Sequence, residues 1–100
     1  MHILVLDHNR TNGLAQALQL SGYGLIVETV PTLDEAERRL SAIALDAVLC
    51  NIQFSDATQF EKLETLRKIY PDTEFIAVGR LDEFLKRIGK TGLLKLKANS

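Results

Sequence analysis

Four short apolar runs set the strongest limit on what this chain can fold into. Ile3-Leu4-Val5-Leu6, Leu25-Ile26-Val27-Glu28-Thr29-Val30, Ala47-Val48-Leu49-Cys50 and Phe75-Ile76-Ala77-Val78 are each four to six residues long. Most carry apolar residues at consecutive positions, as strands buried on both faces require. Between them, apolar residues recur at helical spacing. Leu14, Ala15, Ala17 and Leu18 form the first such set, with Gly22 as its stop. Pro31 ends the second run, and Thr32 or Asp34 can cap a helix whose apolar face is Leu33, Ala36, Leu40 and Ile43. Phe60, Leu63, Leu66 and Ile69 mark a third helix, which ends before Tyr70-Pro71. Alternation of this kind with short loops predicts a parallel sheet with helices on both faces.

At 100 residues, 46% hydrophobic and 25% charged, the chain suits one domain spanning 1–100 with a core of its own. Its single cysteine, Cys50, cannot pair within the chain, which fits a reducing compartment. The start, MHILVLDHNR, has no basic leader region and reaches Asp7 after four strongly apolar residues, so it reads neither as a signal peptide nor as a membrane span. A soluble cytoplasmic protein is the expectation.

The net charge of −1 argues against a protein built mainly to grip phosphate backbones. The charge is unevenly spread, however: residues 1–79 hold 6 basic and 11 acidic side chains, and residues 80–100 hold 6 and 2. The basic part is expected to be a solvated terminal segment. Nucleic-acid binding through Lys86, Arg87, Lys90, Lys95 and Lys97 is the weaker alternative.

In a doubly wound sheet, chemistry gathers at the carboxyl ends of the strands. Here those ends are Asp7-His8, Asn51 and Gly79-Arg80. His2 and Asp7 fall at opposite ends of one strand, roughly 16 Å apart, so they share no metal site. No glycine-rich phosphate loop, Ser–His–acid set or Cys–His pair can be assembled, and neither an enzyme nor a cofactor is expected.

Along ILVLDHNR, SGYGLIVETV, LDEAERRL, DAVLCNI and FEKLETLRKIYPDTEFIAVG, the chain resembles the receiver domain of bacterial response regulators. That resemblance implies a flavodoxin-like (CheY-like) parallel sheet of about five strands in the order 2-1-3-4-5, and a place in two-component signalling. The family transfers a phosphoryl group from a histidine kinase to an aspartate with the help of a divalent metal. It needs paired acids for the cation, an ionised carboxylate as nucleophile, and donors for the phosphoryl oxygens. Carried over by position, Asp7 matches the first acid, but His8 stands where the second is usual. Asn51 stands at the phosphoacceptor position, and a neutral amide cannot form an acyl phosphate. Gly79 replaces the usual hydroxyl residue. Leu93-Leu94-Lys95-Leu96-Lys97 resembles the fifth strand, with Lys97 matching the phosphoryl-contacting lysine and Leu94 at the aromatic switch position.

The resemblance therefore implies a degenerate receiver that works without phosphorylation. Asn51 is expected to hydrogen-bond the loop after Asp7 and fill the old acidic pocket without a cation. Phosphotransfer through another acceptor, such as Asp56, is the alternative. The span from Gly79 to Lys97 is short for the family, so the fourth helix, about Asp82 to Ile88, must be short. The three residues after Lys97 leave no sequence for a fifth helix. Apolar side chains of the first and third strands are then expected to stay open, as a surface for a homodimer or another protein's helix.

Overall fold

A computed structural model describes residues 1–51 and 57–88. The order of elements is β1 (His2–Asp7), α1 (Arg10–Ser21), β2 (Ile26–Val30), α2 (Leu33–Ala42), β3 (Ala47–Asn51), α3 (Ala57–Ile69), β4 (Glu74–Ala77), a 3-10 turn (Val78–Arg80) and α4 (Leu81–Arg87). The strands form one parallel sheet in the order β2-β1-β3-β4, which is a flavodoxin-like winding. Direction along the sheet reverses at β1, and the crossover helices change face with it, as right-handed connections demand. The expected fifth strand, Leu93 to Lys97, lies outside the described residues, as does Lys97 itself.

Strand pleat divides the core into two layers. On one side, Ile3, Val5, Ala47, Leu49 and Ile76 pack with Leu20, Tyr23 and Leu25 and with Phe84 and Leu85 of α4. On the other, Leu4, Leu6, Val48 and Val30 pack with Leu33, Ala36 and Leu40 of α2 and Leu66 of α3. Local signals close the helices. Asn9 accepts from the Asn12 N–H (3.0 Å) at the start of α1, and Thr32 accepts from the Glu35 N–H (3.2 Å) at the start of α2. Of the two candidate caps for α2, Thr32 serves, while Asp34 pairs with Lys62 of α3.

Three expectations need correction. The inward face of α1 is Gly13, Gln16, Ala17 and Leu20, whereas Leu14 and Leu18 are 49% and 75% exposed. The cause is Gly13, which lies so close to β2 that a Cβ there would come within 2.7 Å of Thr29 Oγ1; this approach rotates the helix away from its leucine stripe. Among the described side chains of α3, only Leu66 is fully buried and Leu63 is partly so, while Ile69 at the end is mostly exposed. Finally, the α1-side face of β1 and β3 is not open, because Ile3, Val5, Ala47 and Leu49 are all buried. The short α4 lies on this same side, and its Phe84 and Leu85 help to cover those strands.

Candidate functional site

β1 and β3 are adjacent and in parallel register, so their last residues, Asp7 and Asn51, are ladder partners at the carboxyl edge of the sheet. Asp7 is the buried polar residue of the described core, 4% exposed. Its carboxylate has two donors: the Asn9 N–H reaches Oδ1 at 2.8 Å, and the Asn51 Nδ2 amide reaches Oδ2 at 2.7 Å. The first bond is a tight turn of the loop onto itself, which aims Asn9 to cap α1. The second ties that loop to the end of β3. A buried carboxylate is expensive unless hydrogen-bonded, and these two neutral donors satisfy it.

His8 turns elsewhere. Its ring lies in solvent, and Nδ1 donates to the Pro31 carbonyl at 3.0 Å, a bond that ties the β1 loop to the end of β2. A carbonyl can only accept, so this contact puts the proton on Nδ1. Gly79 sits in the 3-10 turn after β4, and a Cβ there would meet nothing within 4 Å. The position has room for a larger residue but no functional group. The structure thus brings Asp7 and Asn51 together and leaves His8 on the β2 side.

The donor set does not fit a divalent cation. Magnesium and calcium need several oxygen ligands, preferably carboxylates. Here one carboxylate has both oxygens engaged, and the Asn51 side chain presents N–H rather than oxygen to it. Among the described residues no group of three or more His, Cys, Asp or Glu side chains could hold a metal ion. A shallow cavity does open beside Asp7, lined by Arg10, Leu14, Thr29, Val30, Pro31 and Glu35. It lies toward β2, away from Asn51. Next along β3, burial pushes the Cys50 thiol up to about 11, against a weaker opposing pull from Arg67, so it stays protonated and unreactive near neutral pH.

Two features escape the sequence patterns. Asn9, both turn partner and helix cap, is one polar residue among six in a row from Asp7 to Asn12, and composition alone cannot single it out. Gly13 could be found, since a glycine inside a helical segment costs stability and implies a close approach. No helix among the described residues is long and apolar enough to cross a membrane.

Comparison with solved structures identifies the winding as receiver-like. A response regulator from Thermotoga maritima superimposes with a TM-score of 0.68 at 22% identity, over 89% of this chain and 94% of that one. A response regulator receiver domain protein from Clostridium thermocellum gives 0.65 at 22% identity, over 89% and 75%. A scan against protein-family models finds no match, and comparison with curated proteins finds none either. The chain therefore has a receiver-like fold whose carboxyl-edge site joins a buried carboxylate to an amide.

Proposed function

We propose that this chain is a receiver-like signalling module that works without phosphorylation, by binding a protein partner in bacterial signal transduction or transcription regulation. One observation carries the proposal: the amide of Asn51, which the sequence resemblance aligns with the family's acceptor aspartate, donates to buried Asp7 at 2.7 Å, on the adjacent strand. An amide is no nucleophile toward a phosphoryl group, and it supplies the hydrogen bond that makes the apo pocket self-sufficient. A site closed in this way keeps one state, so regulation passes to the partner's presence rather than to a covalent mark.

The test is intact mass after incubation with acetyl phosphate and magnesium. The expected spectrum is unchanged. A stoichiometric gain of about 80 Da, one phosphoryl group, would overturn the proposal. Mapping it to Asp56 would establish the alternative acceptor in its place.

A further inference from the structure

Among the described residues, β2 is the strand at one end of the sheet. Its residues include Ile26, Val27, Thr29 and Val30, β-branched side chains favoured in strands, with no lysine or proline among them to blunt the edge. The Ile26 N–H donates to the Met1 carbonyl, so Ile26 directs its peptide groups inward. Peptide groups alternate in direction along a strand, and Leu25, Val27 and Thr29 therefore direct theirs outward. The one charge on the strand, Glu28, is taken up by Arg39 of α2 through a guanidinium fork at 2.7 and 3.2 Å. Above this edge lie the two leucines that α1 leaves in solvent. Leu14 shares a cavity wall with Thr29, Val30 and Pro31, which places the stripe on the outer side of the helix. On the opposite face of the sheet, Ile26 is 62% exposed.

We propose that this edge binds a second copy of the chain, β2 pairing antiparallel with β2 across a twofold axis at Val27 while the two α1 helices pack through Leu14 and Leu18. Four independent considerations meet on that arrangement. The first is register. Residues opposite each other in a ladder point to the same face, so the axis passes through a residue. An axis at Glu28 would oppose like charges. An axis at Val27 pairs Val27 with its own copy and Leu25 with Thr29, which uses all three outward-facing residues.

The second is spacing. α1 packs over β1 and β2, so the axis separates it from its copy by two strand spacings, about 9.6 Å. That is within the roughly 8–10 Å of packed helices. The third is height. Gly13 is level with Thr29, and Val27 lies two residues, about 6.6 Å, back along β2. This distance is about 4.4 residues of helix, which puts the axis near Ala17. Leu18 lies within about one residue of that level and Leu14 about three residues before it, so the two Leu18 side chains meet across the axis and each Leu14 flanks the contact.

The fourth is area. α1 is about 18 Å long, and the helix–sheet–helix thickness at this edge is about 25 Å, or on the order of 450 Å² per copy. The total of about 900 Å² is close to the ~1,000 Å² that specific association needs, which fits a weak dimer that forms with rising concentration.

Sedimentation velocity of the full chain across about 1–200 µM should show monomer passing to dimer. Leu18→Lys, at a position too exposed to disturb the fold, should move that midpoint up at least about tenfold. A second measurement fixes the register. In a Cys50→Ser background, Val27→Cys lies on the axis at a Cα separation of about 5.5 Å, within disulfide reach, and should cross-link on mild oxidation. Thr29→Cys, more than about 13 Å from its copy, should not. The proposal is overturned by a monomer throughout the range, by a dimer indifferent to Leu18→Lys, or by equal cross-linking of the two cysteine variants.

Discussion

Gly13 shows how one residue sets the pose of an element. Placed in the first half of α1, it lowers helix propensity by about 1 kcal/mol relative to alanine, yet it lets the helix backbone settle against Thr29. Gly13→Ala puts a methyl group 2.7 Å from Thr29 Oγ1, a contact that must be relieved by turning the Thr29 side chain out of its packed position or by moving the helix or the strand. Overpacking of this kind costs about 1–3 kcal/mol, more than the propensity gain returns, so the variant should be less stable. Thr29→Ala removes the clashing oxygen. The double variant Gly13→Ala/Thr29→Ala should recover most of the loss, giving a coupling energy of about 1 kcal/mol or more between the two sites. Urea unfolding at dilute concentration measures all three. Additive losses would mean that the glycine is there for some other reason. The same residue explains why the leucine stripe was misleading: Leu14, Ala15, Ala17 and Leu18 have the right spacing, but close approach to a strand outranks apolar spacing in choosing which face turns in.

At the level of elements, the strands and helices were legible because each run is bounded by a signal with a mechanism. Pro31 stops β2, Thr32 caps α2, and α3 ends where Tyr70-Pro71 forbids more helix. What spacing does not encode is the pairing of polar side chains between elements. Arg39 on α2 and Glu28 on β2 are such a pair, with His2 of β1 3.4 Å from the same carboxylate. The Arg39 hydrogen bonds, ahead of the smaller charge effects of Arg39 and His2, hold the Glu28 carboxyl below its ordinary value of 4.5, against the opposing effect of burial. A carboxyl depressed on folding adds stability above its unfolded value and loses it as pH falls through the folded value. Arg39→Gln should therefore destabilise the protein at pH 7 by about 0.5–1 kcal/mol, the scale of a half-exposed bidentate pair after solvent screening. The difference from the unsubstituted protein should shrink as the pH is lowered below 4.5 and vanish once Glu28 is protonated in both states. Thermal unfolding from acid to neutral pH tests this, and a difference independent of pH would mean that Arg39 acts by packing alone.

For the whole molecule, the two core layers differ in how they are closed. One is capped by two helices of ten and thirteen residues, α2 and α3. Among the described residues, the other is covered by α1 and the seven-residue α4, a helix whose N-cap makes no side-chain hydrogen bond. Most of the carboxyl-edge site was legible, since Asp7 and Asn51 end adjacent strands. The side on which α4 packs was not, because Leu81, Phe84, Leu85 and Ile88 give an apolar stripe that suits either face of a sheet. Phe84 and Leu85 join the cluster of Ile3, Val5 and Leu49, so α4 belongs to the cooperative core despite its length. Phe84→Ala should cost about 3–5 kcal/mol, the scale of a buried phenylalanine, and should lower the midpoint of the whole unfolding transition. Because β1 and β3 lie beneath it, amide exchange in Ile3–Leu6 and Val48–Leu49 should accelerate together with that of α4. If Phe84→Ala frees only the amides of α4 and leaves the central strands protected, α4 is a peripheral turn. The closing of that face then rests on α1.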